Sequence, residues 1–552
     1  MQKITNDARQ PDARANGKYQ FKTEPWAHQR EALRLSWDKK YFALLMEYGT
    51  GKTKVIIDNA GILFERGEID ALFIIAPNGV HEQWITEQLP MHMPERIKYI
   101  ARVWTGANTK KFKRGLQEFW QEKSAHKLKI FTANVEAFQT SPRAQAFGKN
   151  FLNSFNTMLV VDESTRIKTP GAKRTKFIIG QLARLAVYRR TLTGNEVTRS
   201  PFDVYSPYRF LNQNFWEPIR NYHLFCHRYG KFKTNYIYRK QIKVDMGCPK
   251  CKKHINEILF KRQGRLFAIC PRCRAVLNNE RLPAKVDKLI DNEGRFEYPT
   301  LIKYRRLDEL REKTAAVSYL VRKDDCLDLP PKIYDPIYAE LNADQKRLYQ
   351  ELKTERVTEY QGAELSVANK LALSVRFQQI VGGFFPETEE PIGSNNPKID
   401  RLLYDLEDID CADPIIIWAR FTAEIKAIAK ALQANYDDRV ITYFGETSKT
   451  ERAEIRRDFD AGKIGFFVAN TATAGTGLNL QRSYIHYYFS NSFNSEDRWQ
   501  SEDRSHRGGQ TRACLYKDIF IKGTVDDTIK KSNDEKKHIA EFFKARPLEE
   551  LV

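Results

Sequence analysis

The run MEYGTGKTKV at residues 46–55 constrains the fold more than any other part of the sequence. A short apolar run at residues 41–46 leads into it and indicates a buried strand, and residues 52–64 follow with a helical pattern. Strand, glycine turn and helix form the setting of a phosphate-binding loop. In such a loop Gly49 and Gly51 let backbone N–H groups surround anionic oxygens at the start of a helix. The sequence therefore predicts an α/β domain that binds a phosphorylated ligand.

Specific side chains of this loop have predicted roles. Lys52 would reach the β- and γ-phosphates of ATP, and the Thr53 hydroxyl would help to hold Mg²⁺. Thr50 lies between the two glycines and is expected to contact the nucleotide with them. The pattern departs from the strict motif at Met46, where a first glycine is usual, so a glycine turn with a chance lysine is the alternative.

Further apolar runs alternate with helical stretches after the loop. Asp162 and Glu163 follow one of these runs directly. One carboxylate could hold Mg²⁺, and the second could orient or deprotonate the attacking water; a solvated acidic turn is the alternative. The alternation predicts a doubly wound parallel sheet with its ligand site at the carboxyl ends of the strands. The predicted strands are residues 71–76, 128–132, 158–161 and 186–192.

The length, charge and hydropathy of the chain indicate which classes of partner it can have. The chain has 552 residues, which suits two to four domains, and its formal net charge is +21. A basic excess of this size favours a polyanionic partner, although a merely soluble basic surface is the alternative. The apolar runs are too short to span a membrane, and no charged-then-apolar leader opens the chain. We therefore expect a chain that is not secreted and has no membrane partner.

Four of the eight cysteines form two closely spaced pairs. The spacing of the pairs fits a structural zinc site with four thiolate ligands. Two disulfides are the alternative, but the scattered remaining cysteines suit a reducing, intracellular setting. The surrounding lysines and arginines could touch nucleic acid or simply form a solvated surface. The predicted zinc ligands are Cys248, Cys251, Cys270 and Cys273.

A second alternating series occupies the C-terminal part of the chain. Helical patterning is predicted at residues 301–320, and buried strands are predicted at 414–419, 440–444, 465–469 and 484–489. This series has no phosphate loop of its own. Arg504 and Arg507 are three residues apart and would share one helix face. Their guanidinium groups could neutralise charge on a γ-phosphate, whereas a basic surface helix is the alternative.

With these motifs assembled, the chain resembles the helicase-like ATPases of superfamily 2, and specifically the Swi/Snf-type DNA translocases. The resemblance runs from about Trp26 to Lys531 and is interrupted by the zinc insertion. The segments that carry it are MEYGTGKT, APNGVHEQW, DEST, VRKDDCLDLPPK, YFGETSKTERAEIRRDF, TATAGTGLNL and QSEDRSHRGGQ. The segment LTGNE at residues 192–196 departs from the family, which has Thr-Pro after the glycine. The resemblance implies two RecA-like lobes with helical and zinc-ribbon insertions.

The resemblance also assigns roles residue by residue. Lys52, Thr53, Asp162 and Glu163 would bind or activate ATP–Mg²⁺, with Arg504 and Arg507 as arginine fingers. Gln29 would recognise adenine, for which its amide is chemically suited, although a surface helix start is the alternative reading of that stretch. Further residues near the nucleotide would be Gly475, Gly477 and Gln500. The expected DNA contacts are Asn78, Trp84, Asn134, Arg420 and Asn479.

These assignments predict four segments. They are a basic arm at 1–22, an ATP-binding lobe at 23–215, an inter-lobe region at 216–335 with the zinc ribbon at about 245–278, and a second lobe at 336–552.

The predicted function is an ATP-dependent motor that moves along double-stranded or branched DNA by phosphate contacts in replication, repair or recombination. An RNA-directed helicase and a non-enzymatic zinc-ribbon protein with a relic ATPase are the alternatives. We expect a monomer in the cytoplasm of a bacterium or of a virus-infected cell, with ATP, Mg²⁺ and Zn²⁺ as cofactors.

Overall fold

The structure is a computed structural model in which most of the chain is described. The described residues are 19–107, 109–121, 126–238, 243–248, 250–251, 254–258, 260–262, 265–269, 276–278, 295–355, 357–361, 363–366, 370–409, 412–437, 439–474 and 478–544. They form two compact units, one made of residues 1–220 with 311–552 and the other of residues 221–310. The larger unit contains two parallel sheets, and each sheet with its helices forms a lobe. We call the lobe with the strand Tyr41–Met46 the front lobe and the lobe with the strand Ile415–Trp418 the rear lobe.

The front lobe is built on a seven-stranded sheet in which every neighbouring pair is parallel. Its five central strands are buried over nearly their whole length because helices cover both faces, as expected for a doubly wound sheet. The order across the sheet is Ser318–Val321, Tyr41–Met46, Tyr188–Thr193, Thr157–Asp162, Ala71–Ala76, Leu128–Asn134 and Tyr99–Val103.

Helices of the front lobe connect these strands and place the strand ends at one edge. Tyr19 packs against the helix Lys52–Glu65, where its hydroxyl donates to Asp58 Oδ1 at 3.3 Å. The α-helices are Ala27–Ser36, Lys52–Glu65, Val80–Gln83, Leu89–His92, Lys110–Gln121, Ala137–Thr140, Pro142–Ser154, Lys173–Phe177, Tyr205–Leu211 and Lys323–Cys326. Single turns of other helix types lie at Trp84–Gln88, Ser164–Ile167, Ile178–Leu182 and Pro201–Val204.

The rear lobe is a second parallel sheet with its own apolar core. The order of its strands is Lys332–Tyr334, Cys514–Ile521, Ile485–Tyr488, Ile415–Trp418, Phe466–Ala469 and Val440–Tyr443, and Ile337–Ala339 also pairs with Cys514–Ile521. Its helices are Ala343–Glu355, Lys370–Val381, Pro397–Glu407, Thr422–Asn435, Lys449–Asp460, Thr471–Ala474, Ser495–Glu502 and Val525–Lys544. A hairpin of Val357–Tyr360 and Ala363–Ser366 completes it. The predicted fold of two doubly wound lobes is confirmed.

The smaller unit has a different architecture, made of antiparallel pairs. After the helix Tyr222–Tyr229, the long strand Gly230–Tyr238 pairs with Arg295–Tyr304. Lys243–Gly247 pairs with His254–Ile258, and Phe260–Arg262, Arg265–Ile269 and Val276–Asn278 form a three-stranded sheet.

The prediction of helical structure throughout residues 301–320 is wrong at both ends. The strand Arg295–Tyr304 extends into this stretch, and the helix Leu307–Ala315 is followed by the strand Ser318–Val321. That strand aligns with Tyr41–Met46 at the edge of the front sheet, so its pairing with a distant segment overrides the local helical pattern.

Candidate active site between the lobes

The phosphate loop has the backbone that its glycines predict. Gly49 and Gly51 both have φ of 84°, a left-handed conformation that side chains disfavour. Gly51 also abuts Gln29, because a Cβ on Gly51 would lie 2.0 Å from Gln29 Nε2. The loop carbonyl of Thr50 is held by two side chains of the preceding helix, accepting from Gln29 Nε2 at 3.1 Å and lying 2.8 Å from His28 Nε2.

Gln29 therefore supports the phosphate loop by a hydrogen bond to its backbone. Its side chain is buried, and its Oε1 accepts from the Trp26 N–H at 3.0 Å while its Nε2 donates to the loop. The amide faces the protein backbone in this arrangement. The contact between Gln29 and adenine stays a prediction.

Lys52 begins the helix that follows the loop and lies inside the protein. Its ammonium donates to the carbonyls of Met46 at 2.7 Å and Glu47 at 3.4 Å and lies 4.7 Å from the centre of the Tyr48 ring. Burial lowers the pKa of Lys52, and the nearby carboxylates of Glu163 and Asp162 oppose that shift. A buried ammonium at a helix N-terminus is suited to bind a polyphosphate.

The two acidic residues emerge where the strand Thr157–Asp162 ends. Asp162 accepts from Trp84 Nε1 at 3.0 Å through Oδ2 and from the Glu163 N–H at 3.0 Å through Oδ1. Glu163 has φ of 51°, which turns the chain sharply after the strand. Burial raises the pKa of both carboxyls, that of Glu163 to about 7, against the pull of the Lys52 charge. A carboxyl with this pKa is suited to exchange a proton near neutral pH.

Tyr48, which the sequence reasoning did not single out, joins the loop to the acidic pair. Its hydroxyl donates to Glu163 Oε2 at 2.9 Å and accepts from Gln500 Nε2 of the rear lobe at 2.8 Å. Its ring packs on Gly194, where a Cβ would lie 2.8 Å from Tyr48 Cε2. The only signal in the sequence is an aromatic residue immediately before the first glycine of the loop.

The rear lobe contributes its two predicted arginines to the same place. The Arg504 guanidinium lies 6.0 Å from the centre of the Tyr48 ring, and Arg507 packs against Gly49. Burial lowers the pKa of both arginines. A cavity of about 350 Å³ is lined by Lys52, Thr53, Asp162, Glu163, Gln500, Arg504 and Arg507. The structure thus brings these seven predicted side chains, from both lobes, together.

Ion pairs and hydrogen bonds connect the two lobes beside the cavity. Glu496 of the rear lobe pairs with Lys168 at 3.2 Å and accepts from the Thr165 hydroxyl. The Lys323 ammonium bonds Asp503 and donates to the His506 carbonyl at 2.7 Å. These contacts surround the cavity and bring the rear-lobe arginines to the front-lobe loop.

The donor set fits a magnesium ion. Thr53 and Asp162 line the cavity and offer hydroxyl and carboxylate oxygens, the ligands that Mg²⁺ prefers. Both Asp162 oxygens already have a protein donor, which fixes the orientation of the carboxylate. These two residues would hold the ion together with oxygens of its phosphate ligand.

The residues predicted to contact DNA are placed in different surroundings. Asn78 is exposed, and Asn134 ends a strand beside Ala76, so both lie at the carboxyl edge of the front sheet. Arg420 follows a rear-lobe strand and donates to Gln378. Asn479 is exposed and lines the cavity.

Trp84 differs from this set, because it is only 1% exposed and its indole bonds Asp162. It supports the acidic pair instead of presenting a surface. Gly475 and Gly477 lie outside the described residues.

Two of the predicted zinc ligands lie in the described part of the smaller unit. Cys248 is buried and Cys251 is partly buried, and both lie between the paired strands Lys243–Gly247 and His254–Ile258. Cys270 and Cys273 lie outside the described residues, between two strands that also pair. Within the described ranges no group of three or more metal-binding side chains occurs, so the zinc site stays a prediction. In the same ranges no helix is long and apolar enough to cross a membrane.

Two family models match the chain, one in each lobe. Residues 22–185 match the family described as type III restriction enzyme, res subunit, and residues 397–509 match the helicase conserved C-terminal domain. The first match includes Lys52, Asp162 and Glu163, and the second includes Arg504 and Arg507.

Curated relatives also match part of the chain. An uncharacterized ATP-dependent helicase of Mycoplasma genitalium is 24% identical over 254 residues, which is 44% of this chain and 25% of that protein. The human SWI/SNF-related matrix-associated actin-dependent regulator of chromatin subfamily A containing DEAD/H box 1 is 28% identical over 128 residues, 22% of this chain and 12% of that protein. The chain thus matches a quarter or less of the length of these relatives.

A solved structure described as the Sulfolobus solfataricus SWI2/SNF2 ATPase core in complex with dsDNA covers 97% of both chains at 18% identity, with a TM-score of 0.37. The matched domains in both lobes and the SWI/SNF-related relatives agree with the motifs of the sequence. The chain therefore has helicase-type domains in both lobes and is similar to proteins of the Swi/Snf type.

Proposed function

We propose that this protein is a DNA-dependent ATPase that moves along double-stranded DNA and remodels DNA or DNA–protein complexes. The observation that carries the proposal is the shared cavity of about 350 Å³, to which the front lobe gives Lys52 and Glu163 and the rear lobe gives Arg504 and Arg507. A site made by two lobes can be completed or broken by their relative motion. Such a motion is how ATP turnover becomes movement along a polymer.

The side chains divide the chemistry of hydrolysis between them. Lys52 and the loop N–H groups would bind the β- and γ-phosphates, while Glu163 would orient the attacking water and accept its proton. Arg504 and Arg507 would neutralise the charge that spreads over the γ-phosphoryl oxygens. Mg²⁺ held by Thr53 and Asp162 would supply electrostatic stabilisation of the phosphate oxygens.

The preference for DNA rests on family resemblance and on charge. A net charge of +21 favours a polyanion, and Asn78 and Asn134 both lie at the edge of the sheet where the strands end. Contacts to phosphates carry little sequence information and weaken steeply with salt. We therefore propose salt-sensitive binding with little sequence preference, in the setting of replication, repair or recombination.

The test is ATPase activity without nucleic acid and with duplex DNA, single-stranded DNA or RNA. Duplex DNA should stimulate turnover most, and displacement of a third strand from a DNA triplex without separation of the duplex should accompany it. Stimulation by RNA alone would indicate the RNA-directed alternative. Absence of any ATP turnover would indicate a binding protein and would overturn the proposal.

Variants assign the activity to this cavity. Lys52→Ala and Arg504→Ala should each lower kcat by at least about 100-fold, the range expected for loss of a phosphate-stabilising cation. The matched control is Arg439→Ala, which removes a rear-lobe arginine that pairs with Asp458 at 2.7 Å outside the cavity. Equal activity of Arg504→Ala and Arg439→Ala would remove the rear lobe from the proposed mechanism.

A further inference from the structure

The Tyr48 hydroxyl is the middle member of a chain of two hydrogen bonds between the lobes. It accepts from Gln500 Nε2 at 2.8 Å and donates to Glu163 Oε2 at 2.9 Å. Gln500 belongs to the rear lobe, and the other two residues belong to the front lobe. One phenol therefore joins the helix Ser495–Glu502 to the proposed catalytic base.

The ring of Tyr48 has little freedom to move. It packs so closely on Gly194 that a Cβ there would lie 2.8 Å from Tyr48 Cε2. Two cations also lie near the ring: the Lys52 ammonium is 4.7 Å and the Arg504 guanidinium 6.0 Å from its centre. A ring fixed in this way places its hydroxyl at a defined point beside Glu163.

The rear-lobe end of the chain is fixed as well. Gln500 Nε2 also lies 3.3 Å from Glu496 Oε1, and Glu496 pairs with Lys168 at 3.2 Å. Glu496 further accepts a hydrogen bond from Thr165, three residues after Asp162 in the chain. Contacts between the rear lobe and the segment that follows the acidic pair thus hold the amide of Gln500 beside Tyr48.

The two hydrogen bonds are donated in one direction, from Gln500 to Tyr48 and from Tyr48 to Glu163. An N–H that donates to a phenol oxygen polarises the phenol, and the O–H of that phenol becomes a stronger donor. Glu163 Oε2 accepts this hydrogen bond, which helps to fix the orientation of its carboxylate.

We propose that Tyr48 is a positioning residue that transmits the closure of the rear lobe from Gln500 to Glu163. Withdrawal of the rear lobe removes Gln500, and Glu163 then loses the orientation that it needs to accept a proton. Hydrolysis is thereby restricted to the closed arrangement. This inference rests on the proposed function, because it assigns a control element to the same ATPase site.

Tyr48→Phe tests the hydroxyl alone, since the ring and its contact with Gly194 remain. At saturating duplex DNA we expect kcat to fall about 10-fold while KM for ATP stays within about twofold, the pattern for an interaction needed in the transition state. Gln500→Leu should also lower kcat. The double variant Tyr48→Phe/Gln500→Leu should be no slower than Tyr48→Phe, because both changes break one pathway.

The matched control is Tyr334→Phe, which removes a hydroxyl that donates to Glu502 Oε2 at 2.9 Å in the rear lobe. Its kcat and KM should equal those of the unmodified chain, and thermal melting of every variant checks its folding.

Either of two results overturns the inference: unchanged kcat in Tyr48→Phe, or additive losses in the double variant. In both cases the proposed function stands as long as Lys52→Ala abolishes DNA-stimulated turnover. Loss of that dependence would overturn both.

Discussion

Gly49 of the front lobe lies so close to Arg507 of the rear lobe that a Cβ on Gly49 would be 3.3 Å from the Arg507 Cβ. The phosphate loop and the proposed arginine finger thus meet directly. Because Gly49 also has φ of 84°, the chain has two separate reasons to carry glycine there.

Gly49→Ala should lower ATP turnover more than it lowers stability. The left-handed backbone should cost about 1–2 kcal/mol in the free energy of unfolding, and the new methyl should displace Arg507. We expect kcat to fall at least about 10-fold, since a finger must reach the γ-phosphate precisely. Steady-state ATPase kinetics and thermal melting measure the two effects.

Gly67→Ala is the matched control for this prediction. Gly67 has φ of 68° but nothing lies within 4 Å of a Cβ built on it. The control should therefore suffer the same backbone cost and keep its turnover. Equal turnover of the two variants would show that the contact between Gly49 and Arg507 has no catalytic consequence.

Trp84→Phe should weaken the use of Mg²⁺. Its indole donates to Asp162 Oδ2 at 3.0 Å, and without this donor the carboxylate would lose its fixed orientation. The concentration of Mg²⁺ needed for half-maximal ATPase activity should rise about 10-fold, which is the lower end of the range for loss of such a supporting hydrogen bond.

Trp418→Phe provides the comparison, because this buried indole donates to His486 Nδ1 at 3.1 Å inside the rear-lobe core. The control should lose about 1–3 kcal/mol of stability and leave the Mg²⁺ dependence as it was. A Mg²⁺ requirement that shifts equally in both variants would contradict a specific role for Trp84.

Trp84 also marks what sequence reasoning could and could not predict. Local patterns located the buried strands, and the strand Tyr41–Met46 is found where its apolar run predicts it. Trp84 was assigned to DNA because its segment, APNGVHEQW, resembles the one with which the family contacts DNA phosphates. Its hydrogen bond to Asp162 joins residues 78 positions apart and depends on tertiary packing.

The edge strands were missed for a related reason. Tyr99–Val103 is half-buried and carries an arginine, and Lys332–Tyr334 is short and largely exposed. Neither has the apolar signature of a central strand, so only pairing with a neighbour identifies it. Lys52 and Asp162 were predictable because each lies beside a recognisable glycine turn or strand end, whereas Tyr48 acquires its contacts from partners in three distant segments.

Glu196→Gln should make the protein more stable at alkaline pH. Burial raises the pKa of Glu196 to about 7, opposed by a hydrogen bond from the Tyr208 hydroxyl at 2.8 Å. The folded state holds this proton more tightly than the unfolded chain, so the stability from this group is present below about pH 4.5 and is lost as pH rises through 7.

The amide in Glu196→Gln stays neutral and can still accept from Tyr208. Between pH 5 and pH 8 the variant should gain roughly 2 kcal/mol over the unmodified chain, after allowance for partial exposure. Chemical denaturation at both pH values measures this difference. The exposed Glu340, changed to Gln, should show no such dependence on pH. A constant offset between Glu196→Gln and the unmodified chain would contradict the prediction.

The smaller unit should contain one zinc ion held by its four paired cysteines. Each cysteine pair falls between two strands that pair with each other, as expected for a zinc knuckle.

Metal analysis of the purified chain should find one zinc per molecule, and a strong chelator should remove it. Cys248→Ser and Cys270→Ser should each lose the metal, because a closed tetrahedral site needs all four thiolates. Cys226→Ser is the control, since Cys226 lies on the helix Tyr222–Tyr229 of the same unit and outside both pairs. Zinc retained by Cys270→Ser, or lost equally from Cys226→Ser, would contradict the assigned ligands. If ATPase activity survives removal of the metal, the zinc stabilises the insertion alone and takes no part in turnover.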